Sequence, residues 1–237
     1  MHQLKKSISF AFLLLLFAGA VFAQTSRHNR QTTLSTSDIS SGLKEALLKG
    51  VRNAVDDLGR ENGFLDNSRV HIPLPNSLQR TEKTLRALGQ GRRVDEFIES
   101  MNHAAEKAVP VATDVFLDSI RQMTFDDARK ILFSGQEDAA TQFFRRTSED
   151  RLRDEFRPIV EDFTEQVGVT QKYKEMMGRY GFIGKALGQD ATDIDAYVTQ
   201  KALDGLFLLV ADEERKIRRD PIGRTSSILR KVFGVLR

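Results

Sequence analysis

The sequence predicts an all-α fold: a single-domain helical bundle of eight or nine helices, crossed by one long irregular strap. Three observations predict it. Apolar residues recur at three- and four-residue spacing along most of the chain. Period-two alternation is confined to a few residues near Val70–Leu74. Capping residues, glycines and prolines punctuate the rest at helix-length intervals.

The chain has 237 residues and no cysteine. Met1–Ala23 reads as a secretory leader. Lys5 and Lys6 form its basic start, Ile8–Phe22 its apolar stretch, and Val21-Phe22-Ala23 offers small residues for cleavage after Ala23. The apolar stretch is short for a retained span, which needs roughly 20 residues. With no cysteine after it, there is no lipobox and no lipid attachment. The mature chain is expected to be exported to the periplasm, to start at Gln24 and to fold without disulfides, which its length permits. Losing Lys5 and Lys6 leaves 34 basic residues against 33 acidic, a net charge of +1. Such a balance gives no support to nucleic-acid binding.

Residues 24–37 read as a polar, flexible lead, and residues 38–237 as the helical domain. A helix starts at Ser37 or Asp38 and runs to Leu58, with Leu43, Leu47, Val51, Ala54, Val55 and Leu58 as its stripe and Gly59 closing it. Arg60–Pro75 is the long irregular strap. Phe64, Leu65, Val70, Ile72 and Leu74 would pin it down, and Pro73 and Pro75 would keep it extended. Asn76–Leu88 is a short helix ended by Gly89. Arg93–Met123 reads as one long helix kinked at Pro110. Thr124 and Asp127 form a capping box for a helix to Phe133, and Ser134-Gly135 breaks the chain. Glu137–Arg146 and Ser148–Val167 follow as separate helices, then Thr170–Tyr180. The last two helices are Asp193–Arg218 and Gly223–Leu236.

Asp193–Arg218 is the axis of the prediction. Leu203, Leu206, Val210 and Ile217 mark one face, and Phe207, Leu208, Leu209 and Ala211 fill the others, so the helix belongs inside the bundle. Thr192 and Asp195 offer a capping box, and Asp220-Pro221 stops the helix. Glu213 continues the buried stripe, and Glu214 stands four residues ahead of Arg218, the favourable order for a helical ion pair. A carboxylate on an apolar stripe needs a partner. Asn102 and Glu106, four apart on the helix 93–123, stand in register with apolar residues, and Ala104-Ala105 lets another helix come close. If the two helices meet, Glu106 faces Glu213, Glu214 or Arg218. Asn102, Glu106, Glu213, Glu214 and Arg218 therefore form the candidate polar cluster, either a structural ion-pair network or a ligand pocket. His103, despite its chemistry, falls with Lys107 and Asp114 on the polar face.

Other chemistry finds little footing. No catalytic residue, cofactor or metal site is expected. His28, His71 and His103 lie in three separate segments without metal-ligand spacing, and Asp126-Asp127 is explained as a helix cap. Gly89-Gln90-Gly91 lacks the third glycine and the preceding strand of a dinucleotide loop. No GxSxG elbow or Walker loop is present.

Several motifs stand in fixed order: Ile72-Pro73-Leu74-Pro75; Met101-Asn102 with Ala104-Ala105-Glu106; Ala139-Ala140-Thr141; Tyr197-Val198-Thr199 with Lys201–Phe207; Glu213-Glu214 with Lys216-Ile217-Arg218; and Val232-Phe233-Gly234. Together they resemble an uncharacterised family of exported bacterial proteins, domain of unknown function 4197 (DUF4197), from about Ser40 to Gly234. The resemblance implies a single-domain, helical, envelope-directed protein of Gram-negative bacteria. It carries over no activity, cofactor or catalytic residue. Members with a lipobox cysteine differ from this chain, which has none.

The expected function is therefore non-catalytic binding of a small ligand or an envelope protein by a soluble periplasmic protein. One alternative is a hydrolase using paired carboxylates Glu106 and Glu213. Another is a peripheral membrane protein, touching anionic lipid through a basic amphipathic terminal helix bearing Ile228, Val232, Phe233, Arg230 and Lys231.

Overall fold

In a computed structural model of the protein, residues 36–166, 168 and 193–219 are described. Among them the secondary structure is helical, with no strand, as the periodicity predicts. Helix α1 spans Thr36–Gly59, α2 Gln79–Ala87, α3 Gly91–Ala108, α4 Ala112–Gln122, α5 Phe125–Phe133, α6 Ala139–Gln166 and α7 Ile194–Arg219. Short 3-10 turns cover Asn76–Leu78 and Val109–Val111. No described helix is long and apolar enough to cross a membrane.

Helix α7 runs through the interior, packed by α6, α1 and α3. The reason is the all-round apolar middle: Val198, Ala202, Leu203, Leu206, Phe207 and Val210 are all buried. Phe207 meets Phe116 of α4 edge-on at 5.9 Å between ring centres, and Phe116 meets Phe144 of α6 at 4.9 Å. Each such buried ring contributes about 1.5–3 kcal/mol through desolvation, with a further gain from ring geometry. On α1, the stripe Leu43, Leu47, Val51, Ala54, Val55 and Leu58 is buried as its spacing dictates. Two glycines set how closely elements approach α7. A Cβ on Gly50 of α1 would stand 3.3 Å from both Glu213 and Ile217, and one on Gly205 would stand 2.8 Å from Phe64 and 3.2 Å from Val70.

Residues 60–75 are irregular. Phe64, Val70, Ile72 and Leu74 are buried, whereas Leu65 is only half-buried. The chain turns tightly at Asn62, whose φ is +60°, and a side chain on the next residue, Gly63, would place its Cβ 2.4 Å from the Leu58 carbonyl oxygen.

Two local expectations need correction. The helix expected over Arg93–Met123 is two helices, α3 and α4, separated by the 3-10 turn at Val109–Val111. Pro110 cannot donate to the α-helical ladder, and the chain tightens into a 3-10 turn instead of merely kinking. Conversely, the helices expected at Glu137–Arg146 and Ser148–Val167 are one continuous helix, α6, with Pro158 inside it. Ser148 does not start a helix. Its hydroxyl pairs with Ser119 of α4 at 2.6 Å, and the Thr147 hydroxyl donates to the Phe143 carbonyl at 3.0 Å, so both polar groups are satisfied within a running helix. At the start of α7, Asp193 acts as the cap: its Oδ1 accepts the Ala196 N–H at 2.8 Å. Asp195 accepts the Thr164 hydroxyl at 2.8 Å.

The capping box of α5 is as expected, with Thr124 and Asp127 bonding each other's backbone N–H. The expected leader 1–23, residues 24–35 of the expected lead 24–37, helix Thr170–Tyr180, cap residue Thr192, stop Asp220-Pro221 and terminal helix Gly223–Leu236 lie outside the described residues. So do the membrane-contact candidates Ile228, Arg230, Lys231, Val232 and Phe233. The last two residues of the lead, Thr36 and Ser37, belong to α1.

Candidate functional site

Each member of the predicted polar cluster is placed by a helix face that the sequence already marks as apolar. Asn102 is 0% exposed, Glu106 4%, Glu213 7% and Glu214 5%; Arg218 is half-buried. These residues do not form one site. They divide into three separate hydrogen-bond networks, and among the described residues no bond or ion pair joins Glu106 to Glu213, Glu214 or Arg218.

The first network ties α3 to the irregular segment. Asn102 Oδ1 accepts the Ile72 N–H at 2.8 Å, while its amide donates to the Ile72 carbonyl at 3.0 Å and the Ile98 carbonyl at 2.8 Å. The side chain thus takes the place of a neighbouring strand for one residue of extended chain. One turn later, Glu106 Oε1 accepts the N–H groups of Phe64 at 3.0 Å and Leu65 at 3.3 Å. Its Oε2 accepts the Asn62 N–H at 3.2 Å and the Nδ1–H of His103 at 2.7 Å. The fixed i, i+4 offset of Asn102 and Glu106 therefore matches two anchor points on one segment. Tyr197 of α7 adds a third anchor, its hydroxyl donating to the Pro73 carbonyl at 3.0 Å. Arg69 pairs with Asp212 of α7 as a fourth.

His103 corrects the sequence reading, which placed it with Lys107 and Asp114. It is the partner of the most enclosed carboxylate, and its Nε2 lies 3.5 Å from Glu99 on the previous turn. Burial pushes its pKa down, but the hydrogen bond and charge of Glu106, joined by Glu99, outweigh that and hold it above the ordinary histidine value. The i, i+3 spacing of His103 to Glu106 and the i, i+4 spacing to Glu99 were the signal that could have found it.

The second network closes the junction of α5 and α6. Glu214 Oε1 accepts the Ala140 N–H at 2.9 Å, and its Oε2 accepts the Thr141 N–H and hydroxyl, each at 2.9 Å. A carboxylate at a helix start answers both the unpaired N–H groups and the positive end of the helix dipole. The small side chains of Ala139 and Ala140 leave room for it. Arg218 then donates twice to Glu214, at 2.7 and 3.1 Å, so the predicted i, i+4 pair is present. The same guanidinium donates to the Ile131 carbonyl at 3.0 Å near the end of α5. The end of α7 thereby joins the end of α5 to the start of α6.

The third network is smaller. Glu213 Oε2 accepts the Asn53 amide of α1 at 2.8 Å, and its Oε1 pairs with Lys216. Gly50, one turn before Asn53, permits this close approach of α1 to α7.

Chemically, these carboxylates are occupied. Glu106 has four protein donors and Glu214 five, counting both Arg218 bonds, which leaves little capacity to handle a substrate proton. Among the described residues, no group of three or more His, Asp or Glu is placed to hold a metal ion. An open concavity lies elsewhere: a cleft of about 130 Å³ between α5 and α6, lined by Asp127, Lys130, Ser134, Gln142, Phe143 and Arg146 among others.

Fold and networks together define a helical protein whose buried polar residues fasten an irregular segment and helix ends to the bundle. The chain belongs to the family described as protein of unknown function (DUF4197), whose sequence profile matches residues 33–234. No curated protein and no solved structure matches it.

Proposed function

We propose that this protein is a soluble, exported, non-catalytic binding protein of the cell envelope, acting through its surface and not through its buried polar residues. The observation that carries this reading is the saturation of Glu106 and Glu214 by protein donors, which makes them structural groups. Hydrolysis by Glu106 and Glu213 gains no support from this arrangement, because the two carboxylates serve different networks and neither faces the other across an open cleft. The saturated anchors support a further reading of residues 60–75 as a strap held across α3 and α7. Two further helices at Thr170–Tyr180 and Gly223–Leu236 would bring the whole chain to the expected eight or nine.

The test is native mass spectrometry of the protein isolated from its own periplasm, with capture from envelope extract alongside. The expected result is an N-terminus at Gln24 and either a retained non-covalent ligand or a specific partner. Absence of both would overturn the binding reading. So would hydrolysis of an ester, glycoside or peptide substrate that Glu106→Gln abolishes while the fold survives.

A further inference from the structure

The cleft between α5 and α6 holds two cationic side chains, Lys130 and Arg146, with no hydrogen-bond partner among the described residues. Helix α5 contributes Asp127 and Lys130, and Ser134, the residue that caps its end, follows on the same side at i+7 from Asp127. Helix α6 contributes Gln142 and Arg146 at i and i+4, and the buried Phe143 between them also lines the cleft. The carboxylates in and beside the cleft already have donors. Asp127 Oδ2 accepts the Thr124 hydroxyl at 2.6 Å and the Thr124 N–H at 3.1 Å. Asp138 accepts the Gln142 amide at 3.0 Å, and Glu137 lies 3.8 Å from Arg219. The Glu214 carboxylate at the start of α6 is neutralised by Arg218. Lys130 and Arg146, in contrast, make no hydrogen bond or ion pair among the described residues. Both line the same cleft, and their charges help to hold the Asp127 carboxylate below the ordinary range, after the larger effect of the Thr124 bonds.

We infer that this cleft binds a phosphate group, with Lys130 and Arg146 as its cationic contacts. A compact anion with several acceptor oxygens and up to two charges matches a lysine point charge and a guanidinium fork that converge from two helices. A volume of about 130 Å³ is ample for a phosphoryl group, and the cleft is open, so the rest of a phosphate ester can extend into solvent. This inference rests on the binding reading above and names the ligand class and the place.

The experiment titrates the mature protein and a Lys130→Gln/Arg146→Gln variant with inorganic phosphate, by calorimetry and by thermal melting. Sodium chloride holds the ionic strength constant, so that screening is not mistaken for binding. A parallel arm sediments both proteins with vesicles of phosphatidylcholine mixed with phosphatidylglycerol. Both substituted side chains are exposed, so the variant is expected to melt with the wild type when no phosphate is present. Saturable phosphate binding that weakens at least about tenfold in the variant establishes the site. If vesicle sedimentation is lost in the variant as well, the phosphate belongs to a lipid head group; if vesicles are never bound, it belongs to a soluble ligand. No response to phosphate or to vesicles, or an equal response from the variant, overturns the inference. A neutral ligand or protein partner found in the periplasmic preparation, without any phosphate response, overturns this site and leaves the binding reading standing.

Discussion

Removing the Glu106 carboxylate tests whether the polar residue at the centre of α3 is a structural anchor. Glu106→Ala leaves the N–H groups of Asn62, Phe64 and Leu65 and the Nδ1–H of His103 without their acceptor. Hydrogen bonds to a charged group contribute about 1.5–3 kcal/mol each when the site is sealed from water. Only the Phe64 bond is fully buried; the other three are partly buried, and water replaces part of what they lose. Taking about 2 kcal/mol for Phe64 and about 0.5–1 kcal/mol for each of the others gives a loss of about 4 kcal/mol. That is a large share of the total stability of about 5–15 kcal/mol usual for a domain. Urea unfolding of the mature protein, followed by far-UV circular dichroism, measures it, provided the m-value is unchanged. Amide exchange gives the local readout: protection at residues 62, 64 and 65 should fall more than in the interior of α7. Glu106→Gln keeps one acceptor oxygen but turns an amide donor toward N–H groups, so it should lose about 2 kcal/mol. A loss below about 1 kcal/mol for Glu106→Ala, or unaltered exchange at the three amides, would refute the anchoring argument.

Other outcomes follow from the same geometry. Glu214→Ala uncaps α6 and strands the Arg218 guanidinium, and should cost about 3–5 kcal/mol in the same urea assay; a cost under about 1 kcal/mol would mean that water serves the helix end equally well. Gly205→Ala pushes a methyl group into Phe64 and Val70 and should lose about 1–3 kcal/mol despite better helix propensity; Gly50→Ala meets the Glu213 Cβ and the Ile217 side chain less closely, at 3.3 Å, and should cost less, so a larger loss for Gly50→Ala would refute the packing argument. His103 has its folded pKa raised, so its contribution is fully present below the unfolded value of about 6.5 and is lost as pH rises through the higher folded value. The urea midpoint should therefore fall between mildly acidic and mildly alkaline pH in the wild type and fall less in His103→Gln; identical pH profiles would remove the histidine from the network.

Much of the fold was legible because it is written in local periodicity. The stripe of α1, the capping box of α5 and the all-round apolar α7 each follow from residues within one or two turns of each other. The errors fall where two local signals compete. Pro110 was read as a kink and gives a full break, because the turn closes as a 3-10 helix. The sequence pattern puts a break at Thr147 and a helix start at Ser148, but partners on the preceding turn and on α4 satisfy both hydroxyls within one helix. At the candidate site the sequence picked out side chains that are buried and hydrogen-bonded, since a carboxylate or amide on an apolar stripe must be paired, but it grouped them as one cluster. It paired Glu214 correctly with Arg218, four residues away. It could not say that Glu106 reaches back to residues 62–65, because an acceptor on one element and backbone donors in an irregular segment share no periodicity. His103 was set aside for a related reason: the polar face of α3 is read from the helix alone, whereas its environment depends on the Glu106 rotamer.

The sequence by itself determined the helical class, most helix limits among the described residues, and the identity of the buried polar residues. All of these depend on contacts at fixed short spacing along one chain, which backbone geometry sets in advance. The tertiary structure decided which donors each carboxylate meets and that Asn102 and Glu106 clamp one irregular segment. It also decided that Glu213 and Glu214, adjacent in sequence, diverge, one toward Asn53 of α1 and the other toward the start of α6. Successive residues on a helix point about 100° apart, so what each touches depends on how neighbouring helices are docked, and docking is set by the summed packing of side chains far apart in the chain.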